Sequence, residues 1–147
     1  MVLLTTLADT LQAQSTEERH RRGEAVIREL NNNAPQPVLE RMRHEYPFLA
    51  EATQGYALGE VWSRPELDSR TRQLATVAVF AAMGDHDYMK IHAGYALNLG
   101  VSETELKEII YLTTVTAGFP RAIAASQALA ELFTERRASA SERMPDP

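Results

Sequence analysis

The chain has 147 residues, of which 44% are hydrophobic and 24% charged, and this composition predicts a single globular domain rather than a disordered chain. Its formal net charge of −5 is modest and its basic residues are not concentrated, so no nucleic-acid partner is expected. It contains no cysteine, which excludes disulfides, thiolate metal sites and a cysteine nucleophile.

The N-terminal stretch, residues 1–13, is mildly apolar but has no basic segment, and Asp9 interrupts its only apolar run. We therefore expect no signal peptide. No apolar run approaches the roughly 20 residues that a membrane span needs, so no membrane partner is expected either. These features predict a cytoplasmic protein.

The first third of the chain reads as three helical segments, and no stretch of the sequence alternates like a β-strand. Ser15-Thr16-Glu17-Glu18 resembles a capping box that opens a helix running to about Asn31. Pro37 is placed as the first residue of a second helix, 38–46. A third segment runs from Phe48 to about Trp62.

The middle of the chain predicts two further helices. The fourth, 70–83, can be capped by Asp68 or Ser69 and is apolar nearly all round, which indicates burial in a core or between subunits. Gly84 ends it. The fifth, 87–99, stops at Gly100, a residue well suited to the position after a helix.

Two helices close the pattern. Ser102-Glu103-Thr104-Glu105 is a capping box for a sixth helix, 103–117, and Pro120 starts a last helix that ends near Arg137. The sequence thus predicts an all-α bundle of about seven helices in one domain spanning 1–147. Its parts are an N-terminal arm at 1–14, a helical core at 15–137 and a disordered tail at 138–147. So short a chain would leave much apolar surface uncovered, so we expect a homo-oligomer.

His92 is the first candidate for chemistry. It lies mid-helix, one turn after Tyr88, and a histidine there can exchange protons near neutral pH. The alternative is a hydrogen-bonded structural histidine. The nearby Asp85-His86-Asp87 has no second histidine at metal-ligand spacing and suits an ordinary acidic helix start, so no metal is expected.

A second candidate is the string Gly59-Glu60-Val61-Trp62-Ser63-Arg64-Pro65, which places a carboxylate, an indole and a guanidinium close together at a helix end. The alternative is a capped terminus with Trp62 as a core anchor. Downstream, Arg70 and Arg72 have the fork geometry that binds carboxylates, although the spacing alone favours surface pairs with Asp68 or Glu66.

Together these strings, with their order and spacing, resemble the γ-carboxymuconolactone decarboxylase family from about Glu18 to Phe133. The pieces that carry the resemblance are Gly59-Glu60-Val61-Trp62-Ser63-Arg64-Pro65, Arg70-Thr71-Arg72, Lys90-Ile91-His92, Asn98-Leu99-Gly100-Val101 and Ala117-Gly118-Phe119-Pro120. The family's peroxidase branch carries a Cys-x-x-Cys-x-x-x-His motif and an upstream glutamate. Aligned on His92, the two cysteines fall on Asp85 and Tyr88, and the glutamate falls on Gln73. Thiol peroxidase chemistry is therefore excluded.

The resemblance implies an alkylhydroperoxidase-like all-α fold, assembled as a trimer or hexamer. It implies decarboxylation of a small unsaturated lactone or cyclic carboxylic acid without a cofactor, as in the degradation of aromatic compounds. The implied roles are His92 as acid, Glu60 as its partner or proton relay, Arg64 or Arg72 as carboxylate clamp, and Trp62 with Tyr88 as a wall against water. Isomerisation or cyclisation of a metabolite, or small-molecule binding without catalysis, are the alternatives.

Overall fold

The computed structural model describes residues 16–142, and all regular structure in that range is helical. The helices are α1 (Thr16–Leu30), α2 (Pro37–Glu45), α3 (Pro47–Ala52), a π-helical segment (Thr53–Trp62), α4 (Ser69–Met83), α5 (His86–Asn98), α6 (Glu103–Thr116) and α7 (Phe119–Glu142). The prediction of an all-α fold with about seven helices is confirmed. None of these helices is long and apolar enough to cross a membrane.

The chain divides into two compact units, the first ending at Arg64 and the second beginning at Pro65. The assignment of all 147 residues to one domain stays a prediction. The predicted N-terminal arm, 1–14, and the capping role of Ser15 lie outside the described residues.

In the first unit, α1 packs against the π-helical segment through glycines. A Cβ on Gly23 would lie 2.1 Å from the carbonyl oxygen of Gln54, and one on Gly59 would lie 2.1 Å from that of Arg19. Any side chain larger than hydrogen would clash with backbone at both positions, so the two segments approach closely because these residues are glycine. The sequence indicated a helix over this stretch but not its wider π turns, which end with Ser63 N–H donating to the carbonyl of Leu58 at 3.1 Å.

Helix α2 begins at the proline that the sequence predicts for its first turn. Pro37 occupies the first turn, where a missing N–H has no cost. The side chain of Gln36 accepts a hydrogen bond from Val38 N at 2.9 Å, which satisfies one of the amides that have no helical partner.

In the second unit, α4 packs against α5, α6 and α7. Gly84, with a φ of 78°, ends α4 in the left-handed conformation and allows α5 to turn back against it. The α4–α5 pair therefore forms a helical hairpin whose facing side chains are fixed by packing. The main buried members of this core are Val77, Ala81, Met89, Ala93, Ala96, Leu106, Ile110, Ala125, Leu129 and Phe133.

Two caps in the second unit agree with the sequence. Asp68 accepts a hydrogen bond from Thr71 N at 2.9 Å and caps α4. Ser102 and Glu105 form the complete capping box of α6. The Ser102 backbone amide, followed by the guanidinium of Arg70, lowers the pKa of Glu105 to about 2.

The end of the last helix was predicted incorrectly. We expected α7 to stop near Arg137 and the rest to be disordered, but the helix continues to Glu142, and residues 143–147 lie outside the described range. Ala138 and Ala140 are strong helix formers. Arg137 anchors the same turn through an ion pair with Glu103 on α6 at 2.9 Å.

Candidate active site

The facing surfaces of α4 and α5 bring one polar and several aromatic side chains together. Gln73 and Phe80 lie seven residues apart on α4, so two helical turns place them on the same face. Tyr88, His92 and Tyr95 follow one another at spacings of four and three residues on α5, which also aligns them on one face. The hairpin apposes these two faces around His92.

Gln73 is the hydrogen-bond partner of His92. Its Oε1 lies 2.8 Å from His92 Nδ1, and the residue has no exposed surface. Burial lowers the pKa of His92 from 6.5 to about 4, because the charged ring would lose its hydration. The expectation that this ring titrates near neutral pH is therefore wrong for the protein without substrate, in which His92 is neutral at pH 7.

Aromatic rings cover His92 on two sides. Phe80 stacks on the imidazole with the ring centroids 5.4 Å apart, and Tyr95 meets it edge-on at 5.7 Å. Tyr88 stacks on the far side of this arrangement against Phe80, with the ring centroids 5.5 Å apart, and the residue remains 49% exposed. The three rings therefore form a stacked row in which Phe80 lies between His92 and Tyr88, and Tyr88 is the outer member.

The loop before α5 provides the N-terminal cap of that helix. Asp85 caps the helix by accepting a hydrogen bond from Tyr88 N at 3.3 Å. No group of three histidine, aspartate or glutamate side chains within 16–142 is arranged to hold a metal ion. The two positions that align with peroxidase cysteines therefore serve as a helix cap and as a member of the aromatic row.

Three of the predicted site residues belong to the first unit. Glu60 Oε1 accepts a hydrogen bond from Arg19 Nη1 at 3.1 Å, and both side chains are about one-third exposed. Trp62 is half-buried at the end of the π-helical segment, and Arg64 is exposed just after it. The carboxylate of Glu60 is therefore held in an ion pair that the sequence pattern did not indicate.

The two arginines of α4 have different surroundings. Arg72 Nη2 donates to the carbonyl oxygen of Leu67 at 3.0 Å, which orients its guanidinium at the start of the helix. Arg70 forms an ion pair with Glu105, which belongs to the capping box of α6. Arg70 thus links α4 to α6. Arg72 makes its bond to Leu67 within its own segment of the chain, and it directly precedes Gln73 in the sequence.

Sequence reasoning missed three neighbours of His92, namely Gln73, Phe80 and Tyr95. The available signal was weak, because the seven-residue spacing of Gln73 and Phe80 is lost within an almost entirely apolar helix. In the sequence, Gln73 stands out only as the position that aligns with the peroxidase glutamate. Its buried amide opposite a histidine is a tertiary relationship that needs the hairpin geometry.

Comparison with known proteins relates this arrangement to one family. The sequence model of the carboxymuconolactone decarboxylase family matches residues 47–131. The chain is 35% identical over 120 residues to the 4-carboxymuconolactone decarboxylase of Acinetobacter baylyi, which covers 81% of this chain and 90% of that protein.

Two further relatives match at lower identity. The chain is 32% identical over 91 residues to the nitrosuccinic acid decarboxylase of Metarhizium robertsii, covering 60% of this chain and 64% of that one. It is 28% identical over 98 residues to an uncharacterized protein of Methanocaldococcus jannaschii, covering 67% and 91%. The family match includes more than half of the chain and contains the whole α4–α5 hairpin. The chain therefore belongs to the carboxymuconolactone decarboxylase family.

Proposed function

We propose that the protein is a cofactor-free decarboxylase of a small unsaturated lactone or cyclic carboxylic acid. The observation that carries the proposal is a half-buried, aromatic-walled His92 with a fixed hydrogen-bond partner, in a chain whose relatives include two named decarboxylases. The two relatives are named for different substrates, and what their names share is the reaction, decarboxylation. The substrate class proposed here follows the relative with the greater coverage.

Decarboxylation needs one proton and a conjugated group that can accept the electron pair of the broken bond. When the carboxylate leaves as CO₂, the electron pair of the broken carbon–carbon bond spreads through the conjugated ring onto the lactone carbonyl oxygen. A proton must then be delivered to carbon, and solvent water supplies it in the overall balance. A positioned acid accelerates such a transfer by about 10²–10⁴-fold.

His92 is the proposed acid, although it is neutral before substrate binds. An anionic substrate beside the ring favours the imidazolium and raises its pKa, because opposite charges a few ångströms apart stabilise each other strongly where water is excluded. Phe80 and Tyr95 supply apolar ring surface around the imidazole, and Tyr88 extends it through its stack on Phe80. Substrate binding would thus load the proton that the reaction consumes.

The other site roles remain proposals. Arg72 is the preferred carboxylate clamp, because its bond to Leu67 O already orients the guanidinium on the helix that carries Gln73. Arg64 is the second candidate for this role. Glu60 is proposed as a proton relay whose charge is stabilised by Arg19, and Trp62 as part of the wall against water.

Purified protein incubated with 4-carboxymuconolactone, and separately with nitrosuccinic acid, tests the activity through CO₂ release. We expect turnover of the lactone that depends on enzyme concentration and is unaffected by chelators. Absence of CO₂ release from the lactone and from a panel of related unsaturated cyclic acids would overturn the proposal. A Lys107→Gln variant, changed at an exposed position of helix α6, controls for the effect of any single substitution.

We also propose that the protein is a cytoplasmic homo-oligomer of three or six chains. A stripe of large apolar side chains on α6 and α7 is exposed, and Val115 alone is 83% exposed. Exposed apolar area of this kind is typical of an interface. The stripe consists of Tyr111, Leu112, Val115, Phe119 and Ile123.

A further inference from the structure

The side chain of Gln73 is unusual for the core of the second unit. It is completely buried, and its amide Nε2 has no hydrogen-bond partner among the described residues. A buried amide N–H group without a partner is energetically unfavourable. Only its Oε1 is used, in the 2.8 Å contact with His92 Nδ1. The one hydrogen bond of this side chain within the described residues is therefore the contact of its oxygen with His92.

The contact determines which ring nitrogen carries hydrogen. An amide oxygen can only accept, so the hydrogen of this bond must lie on His92 Nδ1. A neutral imidazole has one N–H, and the lone pair is then on Nε2. We propose that Gln73 is a positioning residue that holds His92 as the Nδ1–H tautomer, so that the ring takes up and delivers the reaction's proton at Nε2. This inference rests on the proposed decarboxylase function.

The proposal gives the proton a defined route. Nε2 gains a proton from solvent water as the anionic substrate binds, and the carbon–carbon bond to the carboxylate breaks with release of CO₂. The proton on Nε2 then bonds to the ring carbon with the electron pair left behind, and the imidazole returns to neutral. Throughout this cycle, Nδ1–H stays bonded to Gln73 Oε1.

An amide suits this task better than a carboxylate. A carboxylate at position 73 would form an ion pair with the imidazolium and hold the proton on the ring. An amide orients the ring equally well but adds no full charge, so the imidazolium remains a strong acid in its partly buried surroundings. Gln73 therefore fixes the tautomer without weakening the acid.

The test is nitrogen NMR on protein with ¹⁵N-labelled histidine at neutral pH, with His92 assigned by its absence in His92→Gln. In the wild type we expect a pyrrole-type shift for Nδ1 and a pyridine-type shift for Nε2. Gln73→Met keeps the length of the side chain but removes the acceptor, so we expect loss of the pure Nδ1–H state. We also expect kcat to fall by about tenfold or more with little change in KM.

Gln54→Met is the matched control, because Gln54 is the other buried glutamine within residues 16–142 and accepts its hydrogen bond from Arg43. It should leave the His92 tautomer and kcat unchanged. A wild-type His92 protonated on Nε2, or an unchanged tautomer in folded Gln73→Met, would overturn the inference. If Gln73→Met does not fold, the wild-type spectrum still decides. An inactive protein with the expected tautomer would contradict the proposed function and leave the positioning role standing.

Discussion

Gln73 Oε1 lies 2.8 Å from His92 Nδ1, across the hairpin that joins α4 to α5. This contact links a completely buried amide to a ring whose pKa burial lowers to about 4. The histidine is therefore neutral and oriented before any substrate arrives. Both properties bear on how the protein responds to acid and on how it handles a proton.

The stability of the protein should fall in mild acid because of His92. Its pKa is about 6.5 in the unfolded chain and about 4 in the folded one, so the unfolded chain binds more protons between these values. The free energy of unfolding should thus decrease as the pH falls from 6.5 to 4, by on the order of 2–3 kcal/mol. Chemical denaturation at pH 7, 5.5 and 4.5 measures this.

His92→Gln supplies the comparison for that experiment, because glutamine does not titrate. The variant should lose less stability than the wild type between pH 6.5 and 4.5. Above this window, the two proteins should show the same slope of stability against pH. Identical losses in both proteins within the window would show that His92 is not the group responsible.

The glycine contact between α1 and the π-helical segment gives a second prediction. Gly59→Ala places a Cβ 2.1 Å from the carbonyl oxygen of Arg19, so the segments must separate, and we expect a loss of roughly 2–4 kcal/mol. Gly94→Ala is the matched control inside helix α5, where an added Cβ meets nothing within 4 Å. It should be stabilising by about 0.5–1 kcal/mol. Equal effects in thermal denaturation would refute the close approach.

The exposed apolar stripe on α6 and α7 should mediate assembly. Val115→Asp puts a charge at its most exposed position, and burying an unpaired carboxylate in an interface is strongly unfavourable. We expect the wild type to scatter light as three or six chains, and the variant to dissociate to smaller species. Asn33→Asp adds the same charge at an exposed turn after α1 and should leave the assembly intact. A monomeric wild type at micromolar concentration would rule out the stripe as an interface.

Thiol peroxidase activity should be absent. The chain has no cysteine, and the positions that align with the peroxidase cysteines hold Asp85, which caps α5, and Tyr88, which stacks on Phe80. Neither side chain can form a disulfide or be recycled by a dithiol. Hydroperoxide consumption with a dithiol reductant should equal that of the buffer control. Consumption that rises with protein concentration would contradict this prediction.

Local signals predicted most of the fold. The caps formed by Asp68 and by Ser102 with Glu105 were visible as short motifs, because capping depends on residues within one turn. The π turns over Thr53–Trp62 were not visible, since they arise where glycine backbones meet another helix. The extension of α7 to Glu142 was not predictable from the polar composition of its last turn, despite the alanines there.

The candidate site was only partly predictable for the same reason. His92 and Tyr88 could be found from their spacing on one helix, and Glu60 from a local string. Gln73 and Arg19 could not, because each acts on a partner at least 19 residues away in sequence. Whether a histidine titrates near neutral pH depends on its burial, which helix packing decides and spacing does not reveal.

The most direct test of the account is CO₂ release from 4-carboxymuconolactone by the wild type and by His92→Gln. The circular dichroism spectrum and the oligomeric state of both proteins serve as the folding control. We predict turnover by the wild type, and a folded variant that is slower by about 10²–10⁴-fold, the usual effect of removing an acid–base group. A folded His92→Gln variant that releases CO₂ at the wild-type rate would contradict the account and leave His92 a structural histidine.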